Sequence, residues 1–273
     1  MLNRDDYEEP RCLLNMDVPG KAPVDPVDLG RVIAKFDDYL SRNDKAGAER
    51  HLLYWLSEAR AGWDRRGEHS LKNELMGFYR KEGREKEAVS FAQSALDDLE
   101  ELGLADTATA GTCLVNAGTV YFTFHRPGEA LPYLERARVL YETHLSPEDP
   151  RLGGLYNNTA LTLTDLGRFD EALALYEKAL DIMAKKPTGV LEEAITHLNM
   201  ADTLTAGRGI EDAEKDVEEH LAAALKLLDT PDVPRDGYYA FVCEKCATVF
   251  GYYGHFLTQA DLNARAKEIY ERA

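Results

Sequence analysis

The chain has 273 residues, 44% of them hydrophobic, and sets 32 lysines and arginines against 49 aspartates and glutamates, a formal charge of −17. That balance argues against the basic face by which nucleic-acid binders neutralise phosphates, and equally against attachment to an anionic membrane. Apolar runs fall short of the roughly 20 residues that span a bilayer, and the first twenty residues hold no signal-peptide core. Cysteines at 12, 113, 243 and 246 are too few and too uneven for a disulfide framework. A cytoplasmic protein with a protein partner is expected, a basic segment being the sharper choice of partner for so acidic a surface.

Residues 1–27 contain Pro10, Pro19, Pro23 and Pro26 and show no sustained periodicity. They read as an irregular arm, because proline removes a backbone donor and disfavours helix in the residue before it. Leu13, Leu14 and Met16 give the arm something with which to dock. From Asp28 onward, apolar residues recur at helical spacing and are interrupted by turn residues. The interruptions divide 28–273 into six helical hairpins, at about 28–62, 66–102, 107–145, 150–185, 189–229 and 237–273.

The fourth hairpin is the clearest. Leu155, Thr159, Leu163 and Leu166 recur up to Gly167, and Phe169, Ala172, Leu173, Tyr176, Ala179 and Leu180 recur after it. Gly167 suits the left-handed residue that ends a helix. Asp170 and Glu171 then fall in the first turn of the next, where the helix dipole favours carboxylates. Ala160, Ala172 and Ala179 are small where two backbones must approach. Aligning every hairpin on the small residue of its second helix gives Ala48, Ala88, Ala130, Ala172, Ala213 and Ala266, at spacings of 40, 42, 42, 41 and 53. The long last spacing is assigned to a proline-containing loop from Asp229 to Gly237 and to an unusually long first helix, Tyr238 to about Thr258. That helix carries Tyr238, Tyr239, Phe241, Phe250, Tyr252, Tyr253 and Phe256. So many aromatics form either extra core or an exposed surface through which the chain pairs as a homodimer.

This pattern of small residues, large apolar residues and turn glycines resembles the tetratricopeptide repeat (TPR). The resemblance implies an all-α fold, an α–α superhelix (TPR-like solenoid) of about six helical hairpins in which each hairpin buries its apolar face on the next. A period of 42 exceeds the usual 34 and is similar to the long repeats of kinesin light chains over roughly residues 66–229. The implied function is a protein- or peptide-binding scaffold or adaptor that uses its concave groove without catalysis. Alternatives are a peptide-sensing regulatory protein, similar to bacterial TPR pheromone receptors, and a self-associating structural subunit. No glycine-rich phosphate loop, HExxH, GxSxG or EF-hand motif is present in the sequence, so neither enzyme chemistry nor a cofactor is expected.

Candidate binding residues follow the repeat. Asn116, Asn158 and Asn199 each lie two residues before the small residue of their helix, Gly118, Ala160 and Ala201. In peptide-binding TPR proteins an asparagine at this offset faces the groove and holds the ligand backbone, and the resemblance implies the same role here. A carboxamide offers donor and acceptor together. The alternative is that these side chains bond the neighbouring hairpin and stabilise the stack. Groove neighbours a turn away are Asn73 and Arg80, Thr119 and Phe122, and Asn157, Leu161 and Asp165, with Asp202 and His255 continuing the stripe. Cys243 and Cys246 share a helix face and supply half of a tetrahedral metal site; the plainer assignment is helix packing.

Overall fold

The computed structural model describes residues 26–272, so the expected arm at 1–27 lies almost wholly outside the described residues. The described chain is all α-helical, without a strand. Its helices are α1 (Leu29–Ser41), α2 (Lys45–Ala61), α3 (Arg65–Lys81), α4 (Glu85–Glu101), α5 (Ala108–Thr123), α6 (Pro127–His144), α7 (Pro150–Asp165), α8 (Phe169–Met183), α9 (Val190–Arg208), α10 (Ile210–Leu228), α11 (Gly237–Tyr252) and α12 (Phe256–Glu271). They pair in sequence as hairpins and gather into two compact units that divide between Leu145 and Ser146. The first unit holds α1–α6 and the second α7–α12.

The hairpin turns repeat one backbone device. Asn43, Gly83, His125, Gly167 and Gly254 all have positive φ, Gly167 at 75° and Gly254 at 85°. In each, the next N–H reaches back across the turn: Arg84 to the Tyr79 carbonyl, Arg126 to Tyr121, Arg168 to Leu163, each at 2.9 Å. This left-handed cap satisfies carbonyls that the end of a helix would orphan. Five of the six helices that open a hairpin, and the second helix α2, start on an acidic or hydroxyl cap, whereas α9 starts on Gly189 with no side-chain cap. Asp28, Asp44, Asp64, Thr107, Asp149 and Asp236 each accept a backbone N–H from the turn that follows, satisfying a donor of the first turn. Three second helices start differently, on arginines 42 residues apart. Arg84, Arg126 and Arg168 each clasp a glutamate three residues on, Glu87, Glu129 and Glu171. Arg84 and Arg126 also reach Glu49 and Glu85 of the preceding hairpin and lie over the rings of Tyr79 and Tyr121.

The core of the first unit runs through Val32, Phe36, Ala48, Leu52, Leu71, Leu75, Met76, Ala88, Ala92 and Ala117. Beside it lies a buried ionic cluster. Lys72 Nζ sits 2.8 and 2.7 Å from the two carboxylate oxygens of Asp98 and 3.0 Å from Glu68. In the second unit the core runs from Leu191 to Ile269 and takes in Tyr239, Cys243, Cys246 and Phe250.

The last hairpin departs from expectation. No single helix spans Tyr238 to Thr258: α11 ends at Tyr252, Gly254 takes positive φ, and the His255 N–H closes the turn on the Phe250 carbonyl at 2.9 Å. The alignment on Ala266 moves with it. In the first four hairpins the small anchor lies five residues after the positive-φ residue, and five residues after Gly254 stands Gln259. Ala266 therefore matches Ala179, not Ala172. Both matches bury an alanine, because helix positions seven apart share a face, so apolar pattern alone does not separate them. The aromatics of this region divide. Tyr239, Phe241 and Phe250 are core, whereas Tyr252 and Phe256 are each 68% exposed.

Candidate functional site

In the first unit the predicted residues occupy α3 and α5, the first helices of two successive hairpins that pack on one another. Asn73 and Arg80 on α3 are buried. On α5, Asn116 is only 1% exposed, while Thr119 and Phe122 are half-buried and Thr119 donates its hydroxyl to the Val115 carbonyl at 2.9 Å. Small residues let α5 settle this deeply: a Cβ on Gly118 would meet Leu134 Cγ at 2.8 Å, and one on Gly111 would meet the Tyr141 ring at 2.6 Å. The polar consequence is unusual. Both amide atoms of Asn116 and the carbonyl oxygen of Asn73 are buried with no hydrogen-bond partner among the described residues. A buried polar atom left unmatched costs about 1–3 kcal/mol, so such atoms call for a physical explanation.

In the second unit the asparagines behave differently. Asn157, not Asn158, is the buried one on α7. Its side-chain oxygen accepts from Thr196 Oγ1 at 3.2 Å and from the Asn199 amide at 3.3 Å, both on α9. Thr164 and Thr203 hydroxyls meet at 2.8 Å further along the same helices. The Tyr253 hydroxyl then donates to Asp202 at 3.0 Å and lies 2.8 Å from Thr205, joining α9 to the end of α11. A polar ladder thus binds the first helices together. Asn158 and Leu161 remain half-buried and Asp165 exposed. His255 does not continue the stripe: it sits in the α11–α12 turn, and its Nε2 pairs with Glu218 at 2.9 Å.

Where the α7–α8 turn meets the end of α9, a cleft of ≈ 400 Å³ is lined by Arg168, Phe169, Leu173, Thr203, Leu204 and Gly207 among others. Phe169 fits against Gly207, whose missing Cβ would stand 3.0 Å from the ring. Cys243 and Cys246 are both fully buried in the α11 core. Burial pushes the Cys243 thiol up to about 12 and raises that of Cys246 as well, which disfavours the thiolate form at neutral pH. No group of three or more metal-ligating side chains occurs among the described residues. Between α9 and α10, His197 and His220 face each other, Nδ1 to Nδ1 at 2.9 Å. Burial and the facing ring hold His197 down to about 4, and burial lowers His220 too.

Three features went unnoticed in the sequence: the arginine caps, the ionic cluster on α3 and the threonine part of the ladder. The first was visible there, since Arg84, Arg126 and Arg168 recur at 42 with a glutamate three residues on. Glu68 and Lys72 stand four apart on one helix face, but Asp98 joins them only through the packing of α4 on α3.

The tetratricopeptide repeat family matches residues 152–226 in one form and 111–151 in another. Among solved structures, BtubC (BKLC) from P. vanneervenii is 19% identical with a TM-score of 0.65, covering 76% of this chain and 83% of that one. A putative kinesin light chain from Podosopora anserina, with nearly identical TPR-like repeats, is 17% identical with a TM-score of 0.51, over 80% of this chain and 97% of that one. NprR in complex with its cognate peptide NprX is 14% identical with a TM-score of 0.58, over 89% and 67% respectively. A comparison with curated proteins found no match. The fold is the TPR-like solenoid of helical hairpins expected from the sequence, and no described helix is long and apolar enough to cross a membrane.

Proposed function

We propose that this tetratricopeptide-repeat protein is a non-catalytic cytoplasmic scaffold that holds an extended peptide or protein segment against its first helices, with α3 and α5 as the primary contact. The observation that supports this reading is the pair of buried carboxamides with unmatched atoms, Asn116 and Asn73. One extended backbone presents N–H and C=O groups in the alternation that such amides match, whatever the ligand's side chains. Each hydrogen bond contributes only about 0.5–1.5 kcal/mol, against the ~8 kcal/mol of a micromolar complex. Selectivity therefore rests on neighbours such as Arg80, Thr119 and Phe122. Asn199 belongs more to the ladder than to a ligand, given its bond to Asn157, and Asn158 is the second unit's better candidate. NprR, whose structure holds its cognate peptide, shares the fold; that supports a peptide ligand and leaves a sensing role as the finer alternative.

Affinity capture from native extract with wild type and with Asn116→Ala/Asn158→Ala tests the reading. A partner retained by wild type and lost by a variant with unchanged helicity and melting supports it. A partner held equally by both sinks it, and a variant that unfolds assigns these side chains to stability.

A second reading, self-association, is favoured by one observation. Phe256 opens α12 where Phe169 opens α8, two residues after the turn glycine. Phe169 is covered by Gly207 of the next hairpin, whereas Phe256 is 68% exposed, beside Tyr252 and a Leu257 that is 90% exposed. A face that stacks elsewhere in the chain is open here, and a second copy could cover it. Light scattering of wild type against Phe256→Ser/Leu257→Ser decides: a monomer at every concentration in wild type would end this reading.

A further inference from the structure

The outer face of α2 carries a stripe that no hairpin core covers. Leu53, Tyr54, Ser57 and Ala61 follow at helical spacing and are all exposed, and at the turn beyond them Trp63 is 74% exposed. Trp63 is also held at φ 56°. The corresponding turn between the next two hairpins places Gly103 there, at φ 68°, with the same pair of closing bonds: Trp63 N–H to the Arg60 carbonyl and Asp64 N–H to Ala59, as Gly103 to Glu100 and Leu104 to Leu99. Stability alone favours glycine at a left-handed position. A bulky aromatic kept there and turned to solvent is an observed outlier from which a contact role follows as a hypothesis; tryptophan is the residue type that most often anchors an interface.

Charge specifies the partner. Arg50 lies on the same face of α2, one turn before Leu53 and Tyr54, and Arg66 stands in the first turn of α3, three residues after Trp63. Neither has a carboxylate partner among the described residues, and Arg66 sits at the helix end where the dipole disfavours a cation. Arg60 and Arg65, by contrast, are taken up by Glu68, and Glu58 is a carboxylate close to the stripe. In a chain of net charge −17, two unmatched guanidinium groups flanking exposed aromatics mark one place where an acidic partner is attracted rather than repelled. From Arg50 to Trp63 the face runs on the order of 20 Å at 1.5 Å per residue, the length of about six extended residues.

We propose that this α2 face binds an acidic segment of another protein that also carries apolar side chains, with Trp63 as its anchor and Arg50 and Arg66 pairing with its carboxylates. The surface lies on a second helix and is independent of the first-helix reading above.

The test uses Trp55→Phe in the full chain, which leaves Trp63 as the only tryptophan. The probes are a synthetic 12-residue peptide of glutamates interleaved with leucine and phenylalanine, its lysine-for-glutamate counterpart, and phosphatidylserine vesicles. The acidic peptide should shift Trp63 fluorescence saturably, weaken with added salt, and lose on the order of tenfold in affinity with Arg66→Glu. Trp63→Gly, followed by calorimetry, should lose binding while its melting temperature stays level or rises. No saturable shift up to about 1 mM peptide, an equal response to the lysine peptide, binding of vesicles alone, or undiminished binding by Trp63→Gly would each overturn the proposal. A lower melting temperature in Trp63→Gly would overturn it too, since the ring would then serve packing.

Discussion

Replacing Lys72 by methionine tests whether the buried cluster on α3 is as interdependent as its geometry indicates. Lys72, Glu68 and Asp98 are all buried. Removing the ammonium leaves Glu68 with Arg60 at 2.9 Å and Arg65 at 2.8 Å. Asp98 keeps only Arg65 at 3.7 Å and a neutral His69 at 4.0 Å. The two carboxylates already differ: burial raises Asp98, whereas hydrogen bonds from Arg60 and Lys72 outweigh burial and lower Glu68. Loss of one member of a buried pair typically costs about 3–5 kcal/mol, because a charge is left uncompensated, and Asp98 is the group that bears it. The loss should shrink as pH falls, because Asp98, already raised by burial, takes up a proton in the folded variant and escapes the penalty. Urea unfolding followed by tryptophan fluorescence reads the first unit directly, since Trp55 and Trp63 both lie there. Lys72→Met/Asp98→Leu, which removes both charges, should recover most of the stability. A single variant that loses less than about 1 kcal/mol, or a double variant as unstable as the single, would refute the reasoning.

Three further outcomes follow from named contacts. His69 and His197 are held down to about 4, each first by burial, against an ordinary value near 6.5. Between those values the unfolded chain binds more protons, so their contribution to stability is complete above pH 6.5 and is lost as pH falls toward 4. Raised carboxyls at Asp98 and Glu193 act in the opposite sense, so the comparison is His197→Gln against wild type, whose melting temperatures should converge as pH drops from 7.5 to 5; parallel profiles would refute it. Ala172→Leu places three extra carbons where two helices meet with no exposed surface and should cost about 1–3 kcal/mol by overpacking, read as a lowered melting temperature. Asn157→Ala removes two hydrogen bonds to α9 and should cost about 1–2 kcal/mol. Asn158→Ala should stay within about 0.5 kcal/mol, and equal effects in denaturant titrations would contradict the ladder.

The hairpins were legible because each announces itself locally. A left-handed turn residue, a first-turn acid and a small anchor five residues past the turn are all written within one stretch, as at Gly167, Asp170 and Ala172. The last hairpin misled for the same reason: Ala266 satisfies the local rule one heptad too late, and only the turn at Gly254 settles the register. The binding residues were harder. Asn157 and Asn158 differ by one position, about 100° around a helix of 3.6 residues per turn. Spacings of 42 and 41 cannot choose between them, because α9 runs to 19 residues and α7 to 16.

What decides an asparagine's role here is the helix that closes on it, and that is a nonlocal fact. On α7 the neighbour presents Thr196 and Asn199, and the carboxamide of Asn157 is consumed in holding the stack. On α5 the packing of Gly111 and Gly118 against Tyr141 and Leu134 draws Asn116 into the interior, and no described side chain meets its amide. Under the proposed function, the same residue type in nearly the same repeat position thus splits between architecture and ligand binding. Asn116 costs stability where Asn157 contributes it. Asn116→Leu should accordingly leave stability level or raise it, since an apolar isostere removes the unmatched atoms, while partner capture falls. A variant that both binds and melts like wild type would show that the Asn116 amide serves neither purpose.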